Sequence, residues 1–434
     1  MKKSRIVVLL FFCCLLSSAI VVAQTADYPY LPTPVPDRII LNLTGQPESS
    51  MAATWRTDTT IESAIAELTL VQDGPRFQDS VYTFQATREL YKHSYEGEPK
   101  FDANYHSVVF NNLQPSTVYQ YRVGGEKIWS EWFQFRTAGE KKDAVDIIYF
   151  GDAQNGLKTL WPRIIRESFR ACPDADFSLY AGDLINRSGS DKDWGELLYS
   201  GGFIHATVPS IMTPGNHEYG HEQIIDPHWR KQFTLPENGP AKLEETCYYL
   251  DYQDIRLISI DADMADEIPE LETAQADWLD TVLKTNDKKW AIVFQHIPFY
   301  STKASRDNPR LRKVFRPIIE KHGVDIVLQG HDHAYGRGMK NVVSALDENK
   351  KTGTMYVVSV AGPKMYDVAD YGWMTRRAQM TQLFQLIHIE GNELEYKSFT
   401  ASGELYDAFT LKKKRDGSNK LIDQMPNTPE KIYK

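Results

Sequence analysis

The chain has 434 residues, more than one ordinary domain uses, so its length requires two or three cores or one large domain with an appendage. Hydrophobic residues at 42% and charged residues at 25% are the proportions of a folded globular protein and exclude a mainly disordered one. A formal net charge of -9 leaves no broad basic field to recruit nucleic acid or anionic lipid, so no nucleic-acid partner is expected and an anionic substrate would need local attraction.

Lys2, Lys3 and Arg5 precede an apolar run from Ile6 to Val22, and Ala23-Gln24 offers a cleavage point, the pattern of a signal peptide over residues 1–23. Export to a periplasm or to the medium is therefore expected. A retained N-terminal membrane anchor is the alternative, against which Ser17 and Ser18 interrupt the run. Phe11 and Phe12 before Cys13 argue against a lipoprotein, and no later segment is apolar enough to span a bilayer. Cleavage would leave Cys172 and Cys247, either as one disulfide or as two free thiols, and neither has metal-ligand spacing.

Between Tyr28 and Ala138 apolar residues alternate over short runs, as in Met51-Ala-Ala-Thr-Trp55 and His106-Ser-Val-Val-Phe110, with no helical stretch between them. That spacing predicts a small all-β sandwich. Leu113 to Val123 reads as a turn and then a strand, and Trp132-Phe-Gln-Phe135 as a last strand before a charged connector, Gly139 to Asp143. The region resembles a fibronectin type III module, expected to fold separately over residues 28–138 and to supply no metal ligand.

After the connector the pattern changes. Val145 to Phe150 is a near-continuous apolar run, as in a buried strand, and Leu157 to Ala171 follows with helical spacing. Strands are predicted again at Phe177 to Ala181, Val208 to Met212, Trp290 to Phe294 and Val324 to Leu328, with helices at Glu272 to Leu283 and Pro309 to Lys321. Strands at Thr354 to Val360, Phe384 to Ile389, Leu394 to Phe399 and Leu405 to Leu411 complete a domain over residues 145–411. The lysine-rich tail, 412–434, is expected on the surface or disordered, and no internal repeat is visible.

Polar residues concentrate where these strands run out: Gly151-Asp152-Ala-Gln154, Gly182-Asp183-Leu-Ile-Asn186, Gly215-Asn216-His217-Glu218, Gln295-His296 and Gly330-His331-Asp332-His333. The C-terminal ends of strands are where open α/β sheets build sites. Singly, an Asp after a strand is more often a cap and a lone His more often packed or solvated; five such junctions in one chain point to one convergent site. Carboxylate and amide oxygens with imidazole nitrogens suit a pair of zinc, iron or manganese ions, which clamp phosphoryl oxygens and activate water without a protein nucleophile.

Gly215-Asn-His-Glu218 and His331-Asp-His-Ala-Tyr-Gly-Arg337, in this order with the two Gly-Asp junctions, resemble the metallophosphoesterase (calcineurin-like) superfamily. The resemblance is to its purple acid phosphatase-like branch, which carries an N-terminal fibronectin-like domain, and it covers about Pro36 to Leu411. It implies a multidomain chain, an all-β sandwich followed by an α/β domain with a two-sheet core flanked by helices. It further implies that Asp183 bridges two metal ions, with Asp152 and His333 on the first and Asn216, His296 and His331 on the second. His217 and Asn216 would bind the substrate phosphate, His217 stabilising its charge or protonating the leaving oxygen.

Two departures bear on the first metal. The purple enzymes have a tyrosine three residues after the bridging aspartate, where this chain has Asn186; the wider superfamily has a histidine two residues after the first aspartate, where it has Gln154. An amide oxygen of Asn186 or Gln154, or water, would complete that site, and without phenolate a divalent pair such as Zn, Mn or Fe(II) is expected. Lys303, Arg306 and Arg337 are further candidate phosphate contacts, each against an ordinary solvated or paired charge. The expected activity is phosphomonoester hydrolysis by metal-bound hydroxide on a small phosphorylated substrate; a phosphodiesterase or nucleotide hydrolase, or a non-catalytic binding protein, are the alternatives.

Overall fold

The computed structural model describes residues 28–125, 127–139 and 143–433; the signal-peptide reading and the middle of the connector lie outside the described residues. The N-terminal region is a sandwich of eight strands: β1 (Asp37–Asn42), β2 (Met51–Asp58), β3 (Ile65–Leu70), β4 (Tyr82–Gln85), β5 (Thr87–His93), β6 (Phe101–Phe110), β7 (Val118–Gly124) and β8 (Phe133–Arg136). One layer runs β1-β2-β6-β5 and the other β4-β3-β7-β8. Alternate residues from both layers, including Trp55, Phe110, Tyr121 and Phe135, fill the space between them. Phe110 meets Phe84 edge-on and stacks on Phe135, arrangements that suit the ring quadrupole.

The second region contributes β9 (Val145–Phe150), β10 (Phe177–Ala181), β11 (Ser210–Thr213), β12 (Tyr248–Tyr252), β13 (Ile255–Ile260), β14 (Trp290–Gln295) and β15 (Ile326–Gln329). It continues with β16 (Tyr335–Gly338), β17 (Met355–Val358), β18 (Arg376–Ala378), β19 (Leu383–Glu390), β20 (Glu393–Thr400), β21 (Leu405–Lys413) and β22 (Asn419–Asp423). Strands β9, β10 and β11 lie parallel in one sheet, and β13, β14, β15 and β17 lie parallel in the other. The two sheets face each other. In β14, Ile292 and Phe294 point into the core between them, while Ala291 and Val293 pack under the helices Pro269–Lys284 and Pro309–Lys321. This strand is buried on both faces, which is why its sequence is a continuous apolar run and not an alternation.

The two regions share a sheet. β1 pairs in parallel with β11 at Asn42 and Ser210, joining the four strands of the sandwich layer to β22-β21-β20-β19-β9-β10-β11 in an 11-stranded sheet. The Leu41 N–H donates to the His205 carbonyl at 3.0 Å, and Asn42 Nδ2 to the Ser210 carbonyl at 3.0 Å. Buried Asp191 reinforces the junction, accepting from Arg38 at 2.7 and 2.8 Å, from Arg56 at 3.2 Å and from Tyr28 at 3.1 Å. The tail lies on the surface and is ordered there. Its β22 pairs antiparallel with β21, and beyond it Thr428 and Lys431 bond to Arg376 and Gln379. Cys172 and Cys247 are free.

Candidate metal centre

Each polar junction lies just beyond a strand, and because β9, β10 and β11 end on the same side as β14 and β15, the five junctions meet. Gly182 shows why small residues are needed there. Its φ is +83°, and a Cβ would lie 2.6 Å from the His296 ring and 2.8 Å from the Gly215 nitrogen, so a side chain would force the β10 and β14 junctions apart. Four of the converging residues hold left-handed backbone themselves: Asp152 (φ 37°), Asp183 (49°), His331 (72°) and His333 (48°). Such strain costs on the order of 1–3 kcal/mol per residue and persists only where surrounding contacts impose it, as at functional sites.

Two clusters result. Asp183, His296 and His331 bring ligand atoms within 4.8 Å of one another, and so do Asp152, Asp183 and His333; Asp183 belongs to both. Asp183 Oδ1 lies 3.3 Å from His296 Nε2, which has His331 Nδ1 at 3.0 Å and Asn216 Oδ1 at 3.3 Å. His333 Nε2 lies 3.8 Å from Asp152. The other ring nitrogens are engaged: His296 Nδ1 donates to the Ala181 carbonyl at 2.9 Å and His333 Nδ1 to the Lys364 carbonyl at 3.0 Å, which turns each Nε2 toward the carboxylates of its cluster.

The gathered groups charge one another: burial would lower His296, but Asp183, Asp152 and Asp263 hold it well above the ordinary imidazole range. Burial pushes the Asp152 carboxyl well above the usual carboxylate range, and Asp183 adds to the push. Burial acts on Asp183 in the same sense, but His296 overrides it and holds that carboxylate below its ordinary range. Burial and His296 hold His331 far down, and burial with the Lys364 ammonium brings His333 down to about 3, the neutral form in which imidazole binds metal. Buried carboxylates and imidazoles gathered at two common points are a donor set that divalent zinc, manganese or iron fits.

A second layer fixes the ligands. The buried Glu218 carboxylate accepts four backbone N–H groups, those of Asp183 (2.9 Å), Leu184 (2.8 Å), Ile185 (3.1 Å) and Gly215 (2.7 Å), and so ties the β10 junction to the β11 junction. Asp332 does the same for the loop after β14, accepting from Ser301 Oγ, the Thr302 N–H and Arg306.

The family model of the purple acid phosphatase N-terminal domain matches residues 36–137, and that of the calcineurin-like phosphoesterases matches residues 145–335. Residues 145–335 are thus a calcineurin-like phosphoesterase domain, preceded by the N-terminal domain of the purple acid phosphatase-type branch. Relatives include the probable inactive purple acid phosphatase 1 of Arabidopsis thaliana, 23% identical over 74% of this chain and 60% of its own length. Acid phosphatase type 7 of Homo sapiens is 25% identical over 70% of this chain and 71% of its own. The chain thus spans less than two thirds of the first of these. Among solved structures, the purple acid phosphatase PPD1 of yellow lupin (Lupinus luteus) has a TM-score of 0.73 at 17% identity, over 88% of this chain and 75% of that one. PhoD has 0.65 at 11%, over 93% and 95%.

In this purple acid phosphatase-type chain, Asp152, Asp183, Asn216, His217, His296, His331 and His333 come together, and Asn186 differs. Its contribution is through backbone: its carbonyl accepts His217 Nδ1 at 2.6 Å and its N–H points to Asp193 at 3.3 Å. Gln154 is the amide that enters the first cluster, its Nε2 donating to Asp183 Oδ2 and its Oε1 facing Lys364 Nζ at 3.2 Å. In this arrangement the Gln154 amide therefore presents its nitrogen, and not its oxygen, to Asp183.

The candidate phosphate contacts also resolve. Arg306 donates to Asp332 at 2.7 Å and to the His331 carbonyl at 3.1 Å; Arg337 is buried on Asp407; Lys303 lies over the Tyr366 ring at 3.8 Å. Of the tyrosines near the motifs, Tyr219 is bound to Asp261 at 2.5 Å and Tyr335 to Asp407 at 2.7 Å. Two residues escaped the sequence reading, Glu218, whose motif was visible but whose task was not, and Lys364, which no motif marks.

Proposed function

We propose that this chain is a metal-dependent phosphoester hydrolase with a preference for phosphomonoesters. The observation that carries the reading is Asp183 standing in two ligand clusters at once, with Asn216 and His217 beside it. Two ions bound there would supply Lewis acidity toward the phosphoryl group and activation of the attacking water. Asp152, Asp183 and His333 would hold one ion, and Asp183, Asn216, His296 and His331 the other. His217 has Nδ1 committed to the Asn186 carbonyl, so Nε2, 3.9 Å from Asp183 Oδ2, is the atom that faces substrate, to bind a phosphoryl oxygen or deliver a proton to the leaving oxygen. Export through residues 1–23 and a small phosphorylated substrate belong to the same proposal.

A non-catalytic binding protein is the second reading, favoured by Asn186 and Gln154 at the first-metal side and by relatives named as probably inactive. Metal analysis of the purified protein followed by a phosphatase assay separates the two. The hydrolase reading expects about two divalent ions per chain and turnover that a chelator abolishes; a metal-loaded protein that turns over no phosphoester would leave the binding reading standing.

A further inference from the structure

Lys364 is placed with unusual care for a residue outside every motif. It follows β17 in the segment Ala361-Gly-Pro-Lys364, which is docked on the loop after β9: the Ala361 N–H donates to the Gly151 carbonyl and the Gly362 N–H to the Asp152 carbonyl, both at 2.7 Å. A Cβ on Gly362 would lie 2.5 Å from the Asp152 carbonyl oxygen and 2.6 Å from that of Gln154, so only glycine permits this approach. The Lys364 carbonyl then receives His333 Nδ1 at 3.0 Å. The backbone of Lys364 is thereby pinned between two cluster residues, Asp152 and His333.

Its side chain turns into the cleft. Nζ lies 3.2 Å from Gln154 Oε1 and 3.4 Å from His217 Nε2, and no carboxylate pairs with it among the described residues. An ammonium has three N–H donors. Two face Gln154 Oε1 and His217 Nε2, neither of which is an anion, so a donor and an unneutralised charge are left for a ligand in the cleft. The same ammonium dictates the orientation of Gln154, whose oxygen must face it and whose nitrogen must face Asp183.

We propose that Lys364 is an anion anchor of this site, a direct contact for a terminal phosphoryl oxygen, and the residue that favours doubly charged phosphomonoesters over singly charged diesters. The proposal rests on the phosphoesterase reading for its substrate class. A monoester keeps three non-ester oxygens and a second negative charge, so it can engage the metal-binding side and still offer an oxygen to Lys364. A diester has an ester group in that place and gains less from a fixed charge.

The test uses full-length protein, wild type, Lys364→Gln and Lys364→Arg, each loaded with manganese. Metal content, affinity for inorganic phosphate, and kcat/KM for p-nitrophenyl phosphate and bis(p-nitrophenyl) phosphate are measured. Lys364→Gln should keep both metals, lose about tenfold or more in phosphate affinity and about 10- to 100-fold in monoester kcat/KM, and lose less than about threefold on the diester, as expected for loss of one charge-assisted contact. Lys364→Arg, which keeps the charge, should retain most of the phosphate affinity. Unchanged phosphate affinity in Lys364→Gln, equal losses on the two esters, or loss of a metal ion would each overturn the assignment, the last by making Lys364 a support for the ligands. If wild type hydrolyses neither ester, the phosphoesterase reading fails, and phosphate affinity of wild type against Lys364→Gln still decides whether Lys364 binds the anion.

Discussion

Asp183 and His217 are neighbours in space with different tasks. Replacing Asp183 with alanine takes a carboxylate from both clusters, so metal content by elemental analysis should fall toward zero and activity with it. His217→Ala removes a ring that meets the ligands only at 3.9 Å, so both metals should remain while turnover falls by about 10²–10⁴-fold. Loss of metal in the His217 variant and its retention in the Asp183 variant would reverse the two assignments. Asn186 carries a second prediction. With an amide where the purple enzymes have a phenol, and with Tyr219 and Tyr335 bound to aspartates elsewhere, iron loaded under oxidising conditions should give no intense tyrosinate band in the visible spectrum. Such a band would implicate Tyr366, whose ring packs edge-on against His333. The ligands were legible because each sits beside its strand in a local motif. The pairing of Gln154 with Lys364 was not, since it joins positions 210 residues apart and depends on Gly362.

At the scale of elements, strands buried on both faces announced themselves as apolar runs, and β9, β10, β14 and β15 lie where those runs predicted. The helix Asp191–Gly201 was hidden by its composition: Gly195 interrupts it because the Tyr30 ring leaves 2.6 Å for a Cβ, and its buried face includes Asp191 and Asp193. The β12–β13 hairpin was missed because its turn, Gln253-Asp254, contains no glycine even though Gln253 has φ 52°. The element that matters most for the centre is the pair of junctions held by Glu218. Glu218→Gln offers one acceptor oxygen where two carry four bonds, and turns an NH2 group toward backbone donors. It should cost about 1–3 kcal/mol in denaturant unfolding, with metal affinity falling as Asp183 and Asn216 lose their relative placement. A variant as stable as wild type with unchanged metal affinity would show that the junctions hold without it.

The whole molecule is less divisible than its sequence suggests. The sandwich was expected to fold separately because its alternation ends at a charged connector, but pairing of β1 with β11 and burial of Asp191 against Arg38 and Arg56 are contacts between distant segments that no local pattern reveals. Asp191→Asn should leave two buried guanidinium groups undercompensated and cost about 3–5 kcal/mol, with both regions unfolding in one transition. The same junction gives the protein a pH dependence that can be traced to Glu98. Burial alone would raise its carboxyl, but hydrogen bonds from His93, Ser190, Tyr28 and the Lys192 backbone bring it down to about 2 from an ordinary 4.5. Two of these donors belong to the sandwich region and two to the segment beginning the helix Asp191–Gly201, so the charged form of Glu98 favours the joined state. Its folded value is depressed, so its contribution is complete above about 4.5 and is lost as pH falls from there toward 2. The thermal midpoint of wild type should therefore exceed that of Glu98→Gln at pH 7, and the gap should narrow between pH 4.5 and pH 3. A gap that stays constant over that range would mean that Glu98 acts through shape and neutral hydrogen bonding, and that its charge does not help to hold the two regions together.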